Sequence, residues 1–574
     1  VSDLSNDSIR ARYETWLNDP VIDQATKDEL RAIAGEEKEL TDRFYRELEF
    51  GTGGLRGVMG AGTNRLNAYT VGKATQGLAN WILDNGDERK LPSVVIAYDS
   101  RNHSAEFALD TALVLAGNGI KAYLFQELRP TPQLSFAVRD LGASGGIVIT
   151  ASHNPPEYNG YKVYGSDGCQ LIPEDAEQVI ASIAAINSFG AIKRASRGEA
   201  ETEGLLVWLG EEEDRRYTET VVGESLNGKL LHGELGERFG IVFTPLHGSG
   251  NKPVRAALAG AGFRHVLVVE GQEHPDGYFS TVKSPNPEER EAFELAIALA
   301  KKEAAAIIIG TDPDADRMGA FVRDRQGEYV ALTGNQSGAL MVHYKLSLLK
   351  ERGLLADNGV VIKTIVTSEM GADIARAFGV SVENTLTGFK YIGEKMTAYE
   401  KTAERSFLFG YEESYGYLTG TYARDKDAVV ASLLICEAAA YYSMQGKTLL
   451  DVLQELYENH GYYLEGLESR TLKGFDGVQK ISAIMEDWRF NPPAIMNGIR
   501  IKSVQDYGNS LDGLRPENVL KYELEDGSWF CLRPSGTEPK IKVYFGVKKE
   551  SADASAAALQ QLRQTVMSRV DGLT

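Results

Sequence analysis

The segment TASHNPPEYNGYKVY, Thr150 to Tyr164, gathers a hydroxyl, an imidazole, an amide and an ammonium (Ser152, His153, Asn154 and Lys162) into one short stretch. A serine that carries a phosphoryl group needs an exposed oxygen, donors for the phosphate oxygens and a metal to offset their charge. A turn in which Ser and Asn bond nearby backbone would use the same residue types. GTDPDADRMG, Gly310 to Gly319, sets Asp312, Asp314 and Asp316 at alternate positions directly behind the apolar run AAAIIIG. Alternate side chains of an extended or looping backbone project to one side, so three carboxylates can converge on one ion. Hard oxygen ligands of this kind suit Mg²⁺ or Ca²⁺ rather than zinc. An EF-hand is excluded, because its sixth and twelfth positions, Gly and Glu, are Arg317 and Arg323 here. The plain alternative is an acidic surface turn, against which Arg317 and the apolar run ahead of the loop both weigh.

Three further segments carry weaker signals. FGTGGLRGVMGAGTNRLN, from Phe50, offers loop amides and the Arg56 guanidinium to a phosphate, and it would serve equally as a flexible linker. It matches neither the dinucleotide-binding glycine pattern nor a P-loop. GYEESYGY, Gly410 to Tyr417, presents Glu412 and Ser414, groups suited to sugar hydroxyls, and would also fit the acidic first turn of a helix. RPSGTEPK, Arg533 to Lys540, combines a guanidinium with Ser535, Gly536 and Thr537 as a cradle for a dianion, or forms an ordinary glycine-containing turn. Gly142, Ser144 and Gly146 imitate a serine-hydrolase elbow, but the apolar run IVIT follows the serine where a helix is required.

The elements that must position these groups are short β-branched runs alternating with longer Ala- and Leu-rich helical patterns, which is α/β architecture. Six runs end in polar or glycine-rich sequence: VVIAYDSR, GIVITASHNP, IVFTPLHGSG, AIIIGTDPDADR, VVIKTIVTS and SFLFGYEESYG. Ligands collect at the carboxyl ends of strands in open α/β sheets, so the chemistry is expected in these six loops. Ahead of them, apolar spacing around Ile9, Tyr13 and Trp16 and around Leu40, Phe44 and Leu48 predicts surface helices leading into the first domain. Beyond about Glu465 the pattern shortens to that of a smaller α+β domain. The apolar stretch from Ala428 to Cys436 is far shorter than the roughly 20 residues of a membrane span and predicts a buried helix.

A length of 574 residues suggests about four domains. The net charge of −20 speaks against a chain that grips nucleic acid or an anionic membrane by bulk charge, so an anionic ligand must be held by a local cationic pocket. Three widely spaced cysteines, Cys169, Cys436 and Cys531, indicate neither a disulfide framework nor a thiolate zinc site and fit a reducing cytoplasm. The first residues lack the cationic start and apolar core of a signal peptide, so no export is expected.

Taken in order, GTGGLRG, TASHNP, GTDPDADR, GYEES and RPSGTEP resemble the α-D-phosphohexomutase superfamily of phosphoglucomutases and phosphomannomutases, from about Phe50 to Lys540. The resemblance implies an α/β fold of four domains around a central cleft, three related α/β domains and a smaller C-terminal α+β domain, here divided at 1–200, 201–325, 326–460 and 461–574. It implies that Ser152 is phosphorylated and that Asp312, Asp314, Asp316 and a phosphoserine oxygen bind Mg²⁺. Glu412 and Ser414 would hold sugar hydroxyls, and Arg533, Ser535, Gly536 and Thr537 the phosphate not being transferred. Arg56, His153 and Lys162 would line the reacting centre, and Lys390, in TGFKYIG, matches a lysine proposed to assist proton transfer; the base is Lys390 or His153. The sugar loop usually reads GEES in glucose-type enzymes, and Tyr411 stands at its first Gly, while mannose-accepting relatives more often have Met at the position of Glu413. The expected activity is an isomerase that interconverts glucose 1-phosphate and glucose 6-phosphate through glucose 1,6-bisphosphate, with mannose or pentose phosphates as the alternative substrates.

Overall fold

The apolar runs are strands buried on both faces. In the computed structural model, which describes residues 6–51, 53–86, 90–472, 475–535 and 540–573, two compact units make up the chain. One comprises Val1–Leu332, Ile392–Ala403 and Tyr415–Ala440, the other Thr333–Tyr391, Glu404–Ser414 and Tyr441–Thr574.

The first unit opens with helices Asn6–Asn18, Gln24–Ala32 and Glu37–Phe44. Their apolar stripes close a small core of Ile9, Tyr13, Trp16, Leu30, Leu40 and Phe44, to which Tyr69 of the first α/β domain also belongs. Trp16 meets Phe44, Tyr69 and Phe189 edge-on, at ring-centroid separations of 6.0, 5.6 and 5.3 Å. The predicted surface helices are thus docked by their apolar face rather than tethered.

The first sheet has the strand order Leu55–Val58, Tyr158–Gly165, Gly145–Ile149, Ser93–Tyr98, Lys121–Phe125, Leu206–Leu209. The last four are parallel, and the first two are antiparallel additions at one edge. Val94 and Ile96 belong to one apolar cluster and Val95 and Ala97 to another, because successive side chains face opposite helix layers. Ser144 precedes Gly145–Ile149 with no helix behind it, which disposes of the hydrolase elbow. A second sheet, ordered Tyr329–Leu332, Met318–Arg323, Ile307–Thr311, Ile241–Thr244, Val266–Val268, carries the aspartate loop beyond Ile307–Thr311.

In the second unit, Ser381–Thr385, Gly359–Thr364 and Ser406–Glu412 lie side by side and parallel, with Gly359–Thr364 in the middle. Tyr411 is fully buried there, not presented to a ligand: a Cβ on Gly338 would lie 2.3 Å from its ring and one on Gly371 2.1 Å from its hydroxyl. Two glycines on neighbouring helices, Gly334–Glu351 and Glu369–Ala377, therefore make the space that a tyrosine at this position needs. The C-terminal part is an antiparallel sheet with the inner order Tyr462–Thr471, Lys540–Lys549, Trp529–Pro534, Leu520–Leu524, Ile499–Asp506. The helix Ala552–Asp571 contributes Leu559, Leu562, Val566 and Val570 to its core.

Residues 428–436 fall in the helix Ala428–Ser443 and are buried, and no helix among the described residues is long and apolar enough to cross a membrane. All three cysteines are buried and none is in a disulfide.

Candidate active site

Ser152 follows the strand Gly145–Ile149 with a left-handed backbone, φ +53°, a conformation that costs a non-glycine residue about 1–3 kcal/mol and persists only where its surroundings impose it. The surroundings here do so. Arg101, at the end of the neighbouring strand, donates to the carbonyls of Ser152 (2.7 Å), Asn154 (2.5 Å), Pro155 (2.8 Å) and Tyr158 (2.9 Å). Its charge is matched by Asp99, with both side chains at 0% exposure and Nε 3.3 Å from Oδ2. Asp99 in turn accepts from Thr150 Oγ1 (2.6 Å), which accepts from the Ser152 amide (2.9 Å). Burial pushes the Asp99 carboxyl up and the Arg101 guanidinium down from their ordinary values, and each opposes the other's shift.

The Ser152 hydroxyl is not spent on local backbone. It donates to Asp312 Oδ2 at 2.8 Å and lies 3.2 Å from His153 Nδ1. Burial, reinforced by Arg317 and Arg56, holds the His153 imidazole well below its ordinary pKa, hence neutral near pH 7. Arg56 lies on the strand Leu55–Val58, opposite Gly160, and donates to Asn154 Oδ1 at 3.2 Å. That strand removes the flexible-linker reading. Gly54, with φ +110°, has no alternative residue, since a Cβ would come within 1.9 Å of the Tyr161 carbonyl.

The three aspartates converge with a consistent division of oxygens. Their ligand atoms lie within 4.8 Å of one another, and all three residues are buried. Asp312 Oδ1 accepts the amides of Asp316 and Arg317, both at 3.1 Å, which leaves Oδ2 for Ser152. Asp314 Oδ2 accepts from Thr131 Oγ1 (2.9 Å) and Lys162 Nζ (2.8 Å), while Asp316 Oδ2 faces Lys162 Nζ (3.4 Å) and Lys426 Nζ (3.1 Å). Asp314 Oδ1 and Asp316 Oδ1 are buried without a hydrogen-bond partner. One oxygen of each carboxylate is pinned, and the second is either turned to Ser152 or left without a donor. That is the donor set of a hard divalent cation, and the residues fit one. Burial and the charges of Asp314 and Asp316 raise the Asp312 carboxyl well above the usual range. Burial acts on Asp316 as well, but Lys426, Lys162 and Arg317 outweigh it and hold that carboxyl low.

A neighbouring loop braces this one. Ser249, in TPLHGSG, donates its amide and its hydroxyl to the Pro313 carbonyl, both at 2.8 Å, and a Cβ on Gly248 would sit 2.5 Å from Pro313 Cα.

In the second unit Glu412 ends the strand Ser406–Glu412 and is followed by a turn, not a helix, so the helix-start alternative for GYEES is excluded. Its Oε1 accepts the amide of Gly388 at 3.0 Å. Lys390 lies in the helix Phe389–Thr402, its ammonium 5.2 Å from the ring centroid of Tyr391. Arg533, on Trp529–Pro534, donates through Nε to Glu517 Oε1 at 3.2 Å, and the Ser535 amide donates to the Lys540 carbonyl at 2.7 Å. Gly536 and Thr537 lie outside the described residues.

Asp99, Arg101, Thr131, Ser249 and Lys426 were not singled out from sequence. The loops of Asp99, Arg101 and Ser249 are among the polar strand ends, but the contacts that tie Asp99, Arg101, Thr131 and Ser249 to the serine and aspartate loops span 51 to 183 residues.

Residues 47–189, 216–327 and 333–460 match the α/β/α domains I, II and III of the phosphoglucomutase/phosphomannomutase family, and residues 473–563 match its C-terminal domain. A phosphoglucomutase of Staphylococcus haemolyticus (strain JCSC1435) is 39% identical over 525 residues, 88% of this chain and 92% of the relative. One of Staphylococcus aureus (strain USA300) is 37% identical over 540 residues, 91% of this chain and 94% of the relative. Among solved structures, the phosphoglucomutase parafusin of Paramecium, in its open form, aligns with a TM-score of 0.70 at 18% identity, covering 92% of this chain and 95% of that one. A phosphoglucomutase/phosphomannomutase family protein of Burkholderia thailandensis aligns with a TM-score of 0.64 at 19% identity, covering 90% and 97%.

Proposed function

The chain belongs to the phosphoglucomutase/phosphomannomutase family, and we propose that it interconverts glucose 1-phosphate and glucose 6-phosphate through a phosphorylated Ser152. The observation that carries this reading is the Ser152 hydroxyl 2.8 Å from Asp312, beside two carboxylates that each keep one oxygen without a donor. The two Staphylococcus relatives, which cover 88% and 91% of the chain, are phosphoglucomutases.

Asp312, Asp314 and Asp316 would hold Mg²⁺, which when bound offsets charge on the transferring phosphoryl group. Phosphoserine 152 gives its phosphoryl group to the free hydroxyl of a hexose monophosphate. The P–Oγ bond breaks as the P–O bond to the sugar forms, and the hydroxyl proton ends on Ser152 Oγ. The bisphosphate so made then returns its other phosphate to Ser152. The neutral His153 imidazole, 3.2 Å from Oγ, can hold and move the proton at that atom. His153 and Lys390 are the two candidates for the base at the sugar hydroxyl. Lys162 is committed to Asp314 and Asp316, whose charges outweigh its burial and raise its pKa, so it acts as a fixed cation. Arg56 contributes a second positive charge at the serine loop.

Glu412 and Ser414 would hold sugar hydroxyls, and Arg533 with Ser535, Gly536 and Thr537 the phosphate at rest. Glu517, through Nε, and Tyr544 both engage the Arg533 guanidinium and hold it in place. Arg533→Ala is expected to raise KM for glucose 1-phosphate by about tenfold or more, the value of one charge-assisted contact. A change confined to kcat in steady-state assays would remove the cradle assignment. The three buried cysteines, none of them in a disulfide, support a reducing, cytoplasmic setting. Specificity constants for glucose, mannose and ribose 1-phosphates test the substrate directly. Glucose 1-phosphate ranks first on this reading, and a higher value for either of the others overturns it.

A further inference from the structure

Glu413, between the two proposed sugar-binding residues, has partners of its own, apart from the Gly388 amide that holds Glu412. Its Oε2 lies 3.2 Å from Thr364 Oγ1 and 3.1 Å from Thr367 Oγ1, and the two hydroxyls are 2.7 Å apart. Three oxygens share two protons. Both threonines are fully buried, so the carboxylate is the acceptor that lets both protons be used. The segment they belong to is itself fixed. Lys363, at 0% exposure, donates to the carbonyls of Thr364 (3.2 Å) and Thr367 (3.1 Å) and pairs with Glu369 at 2.7 Å. Lys521, on the strand Leu520–Leu524, donates to the Ile365 carbonyl at 2.8 Å. Glu412 is tied separately, to the Gly388 amide.

We propose that Glu413 is a positioning residue: it pins the turn after the strand Ser406–Glu412 to the Lys-braced Thr364–Thr367 segment and thereby sets where Glu412 and Ser414 stand. Glu413 therefore governs sugar binding without touching the sugar. A methionine there offers no oxygen, and the two buried hydroxyls would have only each other. The inference rests on the sugar-binding role of Glu412 and Ser414.

A mutant cycle tests it on whichever of glucose or mannose 1-phosphate the parent enzyme turns over faster, so the choice of sugar and the role of Glu413 are judged separately. Glu413→Met is expected to raise KM about tenfold, the fold-change of one hydrogen bond to a charged group, with kcat changed far less. Thr364→Val/Thr367→Val is expected to do the same, and the triple variant to cost no more than either, because all remove one connection. Glu413→Gln keeps a carbonyl acceptor and is expected to stay close to the parent. Thr367→Val alone, which leaves one hydroxyl for the carboxylate, serves if the double valine variant does not fold, with an intermediate rise in KM. The proposal is overturned if the valine variants leave KM unchanged while Glu413→Met raises it, since that is direct sugar contact. It is equally overturned if the effects multiply in the triple variant, or if Glu413→Met leaves KM as it was.

Discussion

Ser152→Ala is expected to lower mutase turnover by about a thousandfold or more, since the variant has no oxygen to carry the phosphoryl group and only binding and electrostatics are left. The fold should survive. The lost side chain is one oxygen whose contacts are Asp312 Oδ2 and His153 Nδ1, and the left-handed backbone is imposed from outside by Arg101 and Thr150. Circular dichroism should therefore match the parent, and Mg²⁺ affinity should match that of the parent's unphosphorylated form, in which the three aspartates are the side-chain ligands and no phosphoserine oxygen is available. Coupled-assay turnover within tenfold of the parent would remove Ser152 from its role, whatever the affinity for metal.

Arg101→Met should be the most destabilising single change at the site, by about 3–5 kcal/mol, because it strands the Asp99 carboxylate in a fully buried position. It also withdraws four hydrogen bonds from the carbonyls of the serine loop, so turnover should fall with stability. The two effects separate in Asp99→Asn/Arg101→Met. Neutralising residue 99 should recover part of the loss in urea denaturation, whereas activity should stay low because the loop carbonyls still lack their donor. Recovery of full activity in the double variant would mean that the clamp matters for folding alone.

The contrast between Ser152 and Arg101 shows what was legible beforehand. TASHNP and DPDADR each compress their chemistry into a few consecutive residues, and a strand-loop context can be read around them. The same holds for the α/β alternation and for the N-terminal helices, whose 3.6-residue apolar spacing around Ile9, Tyr13 and Trp16 survives as a packed core. Pairing across long stretches is a different matter. Lys162 and Lys426 meet at Asp316 across 154 and 110 residues respectively, the latter being 426 less 316, and only the folded sheet order brings them together. Thr131 looks like a helix-start residue in sequence, yet its hydroxyl is a buried donor to Asp314. Tyr411 read as a departure from a sugar loop. Gly338 and Gly371, 73 and 40 residues upstream by subtraction, are what make it a core residue. The direction of Glu413 was invisible for the same reason: alternation along a turn does not say which side chain meets Thr364 and Thr367.

The central claim is that the phosphoryl group resides on Ser152 during the catalytic cycle. Peptide mass spectrometry of the enzyme after brief incubation with glucose 1,6-bisphosphate and Mg²⁺ tests it most directly. One phosphate is expected on the peptide that contains Ser152, to be lost when glucose 1-phosphate or glucose 6-phosphate is added in excess. An actively turning-over enzyme whose Ser152 peptide never gains that increment, or whose phosphate sits on another residue, would contradict the account.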